Sequence, residues 1–242
     1  MADHTEIAWT DSTFNPWWGC AKVGPGCDHC YAEALDKRTG GHHWGLKSTP
    51  RVMSDEYWKK PLQWHRKAIA ENSSRKVFCG SMCDWADKNA PAGQRERLWE
   101  IIKQTFCLDW QLLTKRAPNI EKYLPEDWEP ITYPNVWLGV TVENRRHGLR
   151  RIDVLRDIPA KIRFLSVEPL LEDLGKVNLT GIDWVIVGGE SGHHARKMEP
   201  DWVNNLMHEC ERQGVPFFFK QWGGRKDKGG CLLNNMEVKQ WP

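Results

Sequence analysis

Three cysteines, Cys20, Cys27 and Cys30, lie in one short segment that is rich in glycine and proline. Thiolates are ligands for zinc and for iron–sulfur clusters, and a segment of this composition predicts a loop. Four thiolates would complete a structural metal site, whereas three leave one metal position open for a small molecule. The spacing therefore indicates a metal centre that takes part in chemistry.

The composition agrees with thiols that act as ligands. The chain has 242 residues, 40% of them hydrophobic, with eight cysteines and a formal net charge of +2. The N-terminal residues show neither the basic nor the apolar region of a signal peptide, and no apolar run is long enough to span a bilayer. We therefore expect a cytoplasmic protein with no membrane partner. Thiols stay reduced in that compartment, so the cysteines are expected to be metal ligands, catalytic thiols or core residues.

Six short, nearly continuous apolar runs follow the cysteine segment and predict buried β-strands. They are residues 77–79, 110–113, 136–142, 162–167, 184–187 and 215–219. Helical patterns lie between them, for example over 92–106 and over 201–213, where Gly214 predicts the helix end. Short strands that are apolar on both faces and alternate with helices are typical of parallel α/β folds. The sequence predicts one domain over residues 1–242, a partial or complete parallel (β/α) TIM-like barrel.

Two segments depart from this alternation of strands and helices. An irregular insertion is predicted near residues 39–60, which contains His42 and His43 and could act as a lid or a substrate loop. An exposed C-terminal extension is predicted near residues 223–242, where two Gly-Gly pairs occur.

Small or polar residues follow every predicted strand. These corners are residues 80–84, 114–116, 143–146, 168–169, 188–192 and 220–222. The reactive groups of parallel barrels lie in the loops at the carboxyl ends of the strands. The corners combine glycines that permit close backbone approach with acids and cations, which suits one large, charged organic ligand.

The cysteine segment and these corners together resemble the radical S-adenosylmethionine (radical SAM) superfamily. Two residues separate Cys27 from Cys30, as in the usual motif, whereas six rather than three separate Cys20 from Cys27. The lead-in over residues 15–20 is similar to that of spore photoproduct lyases. More closely, the chain resembles a phage and prophage family of three-cysteine-motif proteins. The shared stretches are residues 20–33, 80–84, 113–116, 138–144, 165–169, 185–192 and 217–223.

This resemblance implies a barrel of the radical SAM type and a mechanism. Cys20, Cys27 and Cys30 would bind three irons of a 4Fe–4S cluster, and S-adenosylmethionine would chelate the fourth. An electron from the reduced cluster, supplied by a donor such as flavodoxin or ferredoxin, would cleave S-adenosylmethionine to methionine and a 5′-deoxyadenosyl radical. That radical would abstract hydrogen from an unactivated carbon.

The resemblance also assigns site residues by their position. The expected cofactor-binding residues are His29, Tyr31, Gly80, Ser81, Met82, Asp84, Thr141, Glu143, Ser166, Glu168, Gly188 and Gly189. Residues 80–82 would meet the methionine amino group, and Thr141 and Glu143 would meet the ribose. The expected catalytic residues are the cations Lys115, Arg116 and Lys220.

The expected substrate follows from cations that lie beside stacking rings. The chain contains fifteen tryptophans, and if several of them share the barrel mouth with the catalytic cations, the combination suits a nucleic acid whose target base is exposed or flipped. Phage relatives and the lyase-like lead-in favour a thymine-derived base in DNA, with isomerisation or modification as the reaction. The arginines at positions 145, 146, 150 and 151 would add to this surface, but a solvated helix face is their default interpretation.

Two alternatives of other classes remain open. The first is a non-catalytic nucleic-acid-binding protein stabilised by zinc, with His29, His42, His43 or Cys83 completing the site. Such a protein would be colourless and indifferent to S-adenosylmethionine. The second is a radical SAM enzyme that acts on a small metabolite or on a peptide.

Overall fold

The computed structural model describes residues 5–225 and 227–242. Met1 to His4, to which part of the signal-peptide prediction refers, lie outside the described residues. The strands are β1 (Ser12–Phe14), β2 (Trp17–Trp18), β3 (Arg51–Val52), β4 (Arg75–Cys79), β5 (Leu108–Thr114), β6 (Val136–Thr141), β7 (Ile162–Val167), β8 (Trp184–Gly188) and β9 (Phe217–Gln221). The α-helices are α1 (Tyr31–Arg38), α2 (Asp55–Trp58), α3 (Lys60–Ala70), α4 (Gln94–Gln104), α5 (Ile120–Tyr123), α6 (Arg150–Arg156) and α7 (Pro200–Gln213).

Shorter helical turns complete the list of elements. A π-helix covers Arg145–Leu149, and 3₁₀ turns cover Pro25–Cys27, Ala117–Asn119 and Asp227–Gly229. Within the described ranges, no helix combines the length and the apolar character that crossing a membrane requires.

Seven of the strands form one parallel sheet in the order β1-β4-β5-β6-β7-β8-β9. The pairs β1 with β4, β4 with β5, β7 with β8 and β8 with β9 all run parallel. β1 and β9 stand at the two ends of this order, as in a partial rather than a complete barrel. The predicted α/β class with a parallel sheet is therefore confirmed. β2 and β3 form a separate antiparallel pair.

Each of the six predicted strand runs overlaps one of the strands β4 to β9, whereas β1 was not predicted. β1 contains a single apolar residue, Phe14, so its sequence has no strand signature. Its partner β4 supplies the reason for its conformation, because Ser12 pairs with Val77 and Phe14 with Cys79.

The chain forms two compact units. The first contains the residues up to Lys22, then Ala32–Leu138 and Pro159–Lys161. The second contains Val23–Tyr31, Gly139–Ile158 and Ile162–Pro242. The cysteine segment therefore contributes Cys20 to the first unit, and Cys27 and Cys30 to the second.

Helix α4 in the first unit is shorter than the prediction over 92–106. Leu98 and Ile102 are fully buried, as their helical spacing predicts. Phe106, however, lies beyond the helix and is 65% exposed, so its predicted place on the apolar face is wrong. The backbone leaves the helical conformation at Thr105, which has φ of −118° and ψ of 55°, and the buried Oγ1 of this residue donates to the carbonyl of Ile101 at 2.6 Å.

In the second unit, β8 and α7 have the burial patterns that their sequences predict. All five residues of β8 are buried, which is the pattern of a strand covered on both faces. Val203, Leu206 and Cys210 of α7 are buried at helical spacing. Gly214 ends α7 in the left-handed conformation with φ of 68°, as predicted from its position.

The second half of the predicted insertion has regular secondary structure. Residues 39–60 include β3 and α2, so the irregular part ends before Arg51. His43 of the irregular part contacts Asp36 of α1, which is 1% exposed. Asp36 Oδ2 accepts from the backbone N–H of His43 at 2.9 Å, and Oδ1 lies 2.7 Å from His43 Nδ1. The carboxylate of Asp36 therefore anchors the start of this segment.

The C-terminal extension docks within the second unit although most of its residues are exposed. Lys239 pairs antiparallel with Phe218 of β9, and the Trp241 ring stacks on Trp184 with centroids 4.9 Å apart. The predicted exposure of the extension agrees with the structure, whereas its pairing with β9 was not predicted. The tail shields the open edge of β9, a role that its glycine-rich composition does not reveal.

Candidate functional site

Cys20 faces a cation in the first unit. Its thiol is half-buried, and its Sγ accepts a hydrogen bond from Arg116 Nη1 at 3.5 Å. Arg116 Nη2 also donates to the carbonyl of Ala21 at 2.8 Å. The guanidinium therefore contacts both the sulfur and the backbone that carries it. These contacts indicate that Arg116 positions Cys20. The catalytic role predicted for Arg116 stays a prediction.

Two carboxylates hold this guanidinium. Arg116 Nη1 lies 2.8 Å from Asp84 Oδ2, and Nη2 lies 2.8 Å from Asp87 Oδ2. Asp84 also accepts from Thr114 Oγ1 at 2.6 Å and from the backbone N–H of Lys115 at 3.1 Å. We call Cys20, Asp84, Asp87 and Arg116 the Cys20 cluster. Asp87 was not predicted, because nothing in its local sequence shows that it meets Arg116.

In the Cys20 cluster, burial and charge favour the protonated form of the Cys20 thiol when no metal is bound. Burial, followed by the charge of Asp84, raises the pKa of Cys20 to about 12. Burial lowers the pKa of Arg116, but the nearby carboxylates, Asp84 first, outweigh it and raise that pKa above its usual value. A cation bound directly at the sulfur would favour the thiolate.

The corner after β4 is joined to the residues before Cys20. Asn15 is fully buried, its Oδ1 accepts from the backbone N–H of Met82 at 2.7 Å, and its Nδ2 donates to Ser81 Oγ at 2.9 Å. The N–H of Gly19 donates to the carbonyl of Met82 at 3.0 Å. Gly80 has φ of 107°, which favours glycine at the turn. The structure thus ties the predicted cofactor residues 80–82 to the cysteine segment through Asn15, which was not predicted.

In the second unit, Glu143 lies beneath the glycines of the cysteine segment. Its carboxylate is fully buried and forms a close ion pair with Arg151, whose Nη1 also donates to the carbonyl of Thr141 at 2.8 Å. A Cβ at Gly26 would lie 3.1 Å from Glu143 Cγ, and one at Gly24 would lie 3.2 Å from Oε1. Glycine at these positions lets the backbone pack on the carboxylate.

Arg151 corrects a prediction. A solvated face was its default interpretation, yet it is 6% exposed because Glu143 compensates its charge.

His29 is held by a second buried carboxylate in the same unit. Glu190 is 6% exposed, and its Oε2 lies 2.9 Å from His29 Nδ1 and accepts from Arg196 Nε at 2.9 Å. Arg196 Nη2 also donates to the carbonyl of Pro25 at 2.8 Å. Burial alone would raise the pKa of Glu190, but the hydrogen bonds from Arg196 lower it to about 2. Tyr31, the neighbouring predicted contact, opens α1 and is 53% exposed.

Glu190 and Arg196 were not predicted as site residues. Glu190 was accessible to sequence reasoning, since it follows a predicted strand. Arg196 lies in a loop with no motif, and its contacts with Glu190 and with the carbonyl of Pro25 identify it.

Four predicted residues come together at the carboxyl ends of β7, β8 and β9. Lys220 Nζ lies 2.9 Å from Glu168 Oε1, and Ser166 Oγ donates to Glu168 Oε2 at 3.2 Å. A Cβ at Gly188 would lie 2.7 Å from Glu168 Oε1, so glycine makes room for the carboxylate. Gly189 is equally constrained, because a Cβ there would lie 1.8 Å from the carbonyl oxygen of Trp222.

The cysteines of the three-thiol segment are half-buried, and none of them forms a disulfide. Within residues 5–225 and 227–242, no group of three or more His, Cys, Asp or Glu side chains is arranged to hold a metal ion. Among the alternative zinc ligands, His29 contacts Glu190, and His43 contacts Asp36. Cys83 is buried, and burial raises the pKa of its thiol well above the usual value.

One protein family has a sequence profile that matches residues 4–241. The chain belongs to this family. Its description is "Protein of unknown function (DUF5131)". Neither the curated proteins nor the solved structures contain a match to the chain.

Proposed function

We propose that this chain is a radical SAM enzyme in which Cys20, Cys27 and Cys30 hold a 4Fe–4S cluster that binds S-adenosylmethionine. When bound and reduced, the cluster would supply the electron that cleaves S-adenosylmethionine to methionine and a 5′-deoxyadenosyl radical. Three free thiols of one segment, one of them facing a buried guanidinium, are the observation that carries this function.

The chemistry of the donor set, three free thiols in one segment, supports such a cluster. Thiolates are the usual protein ligands of iron–sulfur clusters, and hydrogen bonds to the sulfurs tune the reduction potential. The three thiols are free, and Arg116 supplies one such hydrogen bond to Cys20. Asp84 and Asp87 hold the guanidinium against the sulfur, so its direction does not depend on the metal.

Backbone groups of residues 80–82 are assigned to the methionine end of the cofactor. Asn15 fixes this corner through Ser81 and Met82, so little conformational freedom is lost on binding. The assignment of the ribose to Thr141 and Glu143 follows the resemblance. In the structure the carboxylate of Glu143 pairs with Arg151, so any ribose contact must coexist with that ion pair.

The substrate we propose is a thymine-derived base in DNA, which is isomerised or otherwise modified. Lys220 is the cation that we assign to the substrate, since its side chain is 19% exposed and Glu168 holds the ammonium in place. Flavodoxin or ferredoxin would supply the electron. We assign the reaction to the cytoplasm, because an oxygen-sensitive cluster with three thiolate ligands needs a reducing compartment.

Cofactor cleavage tests this function. The full chain is reconstituted anaerobically with iron and sulfide, reduced with dithionite and assayed for 5′-deoxyadenosine in the absence of DNA. We expect a brown protein with about four irons per chain that forms 5′-deoxyadenosine. Cys27→Ala should abolish the product, whereas Cys231→Ala is the matched control, since Cys231 is also half-buried but contacts Glu237 in the C-terminal tail.

Each other outcome contradicts a specific part of the proposal. A cluster-loaded protein that forms no 5′-deoxyadenosine would refute the radical chemistry. A colourless protein that retains zinc and ignores S-adenosylmethionine would favour the zinc-stabilised DNA-binding protein. If a peptide or a metabolite stimulates the cleavage of S-adenosylmethionine and DNA does not, the substrate is a small metabolite or a peptide.

A further inference from the structure

A basic pocket opens in the second unit, in the segment that follows β6. Its volume is about 700 Å³, and it is lined by Arg145, Arg146, His147, Arg150 and Glu172. Three guanidinium groups therefore surround one concave surface, with a single carboxylate among them. A concave site with convergent cations is suited to an anion.

The arginines of the pocket differ from their neighbours in the same segment. Within the described part of the chain, Arg145, Arg146 and Arg150 form no ion pair. Arg151 and Arg156, in contrast, pair with Glu143 and Asp153. The protein thus neutralises the arginines that stabilise its fold and leaves the charge at the pocket uncompensated.

The one carboxylate of the pocket is engaged by the backbone. Glu172 Oε1 accepts from the N–H of Arg145 at 2.7 Å. The next carboxylate along the chain, that of Asp173, accepts from the N–H of Gly175 and from Asn205 Nδ2. Counting Glu172, the lining retains an excess of positive charge.

The backbone of the pocket wall is well defined by its contacts. Asn144 Oδ1 accepts from the N–H of His147 at 2.9 Å and begins the π-helix. A Cβ at Gly148 would lie 2.5 Å from Val142 Cγ1, so only glycine lets this turn rest on the end of β6. Single-turn π-helices occur frequently at functional sites.

The pocket adjoins the cysteine segment within the same unit. A Cβ at Gly24 would lie 3.5 Å from the His147 ring and 3.2 Å from Glu143 Oε1. His147 therefore lines the pocket on one side and contacts the segment that leads to Cys27 on the other. A ligand held in the pocket lies close to that segment.

We propose that this pocket binds a backbone phosphate of the DNA substrate and thereby places the strand beside the cysteine segment; this rests on the proposed function. Guanidinium groups bind phosphate through paired, charge-assisted hydrogen bonds. S-adenosylmethionine carries a sulfonium and no phosphate, so the cofactor does not explain the pocket. A free nucleotide shares the phosphate chemistry, and the experiment separates the two sources.

Binding is measured by fluorescence anisotropy with a labelled, thymine-rich single-stranded oligonucleotide over a salt series, on the full chain without added S-adenosylmethionine. The test variant is R146Q/R150Q, because both side chains are exposed. We expect its Kd to rise about tenfold at low salt, and the slope of log Kd against log salt to fall by about 1 to 2. The matched control is R38Q/R66Q, which removes two exposed arginines of the first unit and should bind like the wild type.

Three outcomes overturn the proposal. The first is an equal loss in the test and control variants, which would indicate a general effect of charge. The second is no binding of the oligonucleotide by the wild type. The third is tight binding of ATP, lost in R146Q/R150Q, by a protein that does not bind the oligonucleotide. The cleavage assay contains no DNA, so its result reports on the radical chemistry separately.

Discussion

Two of the arginine–carboxylate networks that support the cysteine segment act on different parts of it. At Cys20, the guanidinium of Arg116 contacts the sulfur itself, with Asp84 and Asp87 behind it. At residues 24–26, the carboxylate of Glu143 contacts glycine backbone, with Arg151 behind it. The same ion-pair chemistry thus holds a proposed metal ligand in one place and the path of the chain in the other. Changes in the first network should alter a bound cluster, and changes in the second should alter stability.

The largest loss of stability is expected from Glu143→Gln. This change leaves Arg151 buried without a countercharge, which should lower the free energy of unfolding by about 4 kcal/mol. Chemical denaturation followed by tryptophan fluorescence measures the loss. The cluster spectrum of the reconstituted variant should stay that of the wild type.

Asp153→Asn is the control for Glu143→Gln, because Asp153 is 71% exposed in its pair with Arg156. We expect it to cost less than about 1 kcal/mol. If the two variants lose equal stability, burial of the Glu143 pair is not what supports the loop.

Arg116→Gln should have a smaller effect on stability and a distinct effect on the metal. Asp84 keeps its bonds from Thr114 and Lys115, so the expected loss is about 3 kcal/mol. Losing a cationic hydrogen bond to Cys20 disfavours the reduced cluster, so the reduction potential should become more negative. A redox titration followed by electron paramagnetic resonance measures it.

Arg116→Lys retains the positive charge without the planar guanidinium. The reduction potential of its cluster should lie between those of the wild type and of Arg116→Gln. A potential that is unchanged in a fully loaded Arg116→Gln sample would show that the contact with Cys20 does not act on the cluster.

Among the three changes at the arginine–carboxylate networks, Glu190→Gln should have the smallest effect, and this effect should depend on pH. The pKa of Glu190 in the folded protein is about 2, lowered from 4.5. Its contribution to stability is therefore fully present above the unfolded pKa and is lost as the pH falls through about 2. The wild type should exceed the variant by about 2 kcal/mol at neutral pH, and the difference should shrink in acid. Urea denaturation across this range measures it, and a difference that stays constant with pH would contradict the assignment.

The sequence predicted the parts of the fold that depend on local pattern. Continuous apolar runs identify β4 to β9, because strands covered on both faces must be apolar throughout. β1 and the docked tail have no such local pattern, because pairing with a distant strand imposes their conformation. The site divides in the same way. Ser166 lies near the end of a predicted strand, and Glu168 and Lys220 follow predicted strands, so local pattern selected all three. Asn15 and Asp87, in contrast, are defined by partners far along the chain.

The sequence by itself determined that three thiols share one segment and that polar corners follow parallel strands, because both features are local. Only the tertiary structure decided the role of each charge. Arg145, Arg146, Arg150 and Arg151 read as one basic run, yet Arg151 is buried against Glu143 and the other three line an open pocket. The difference lies in the balance between the cost of removing a charge from water and the presence of a countercharge, and folding alone supplies the countercharge.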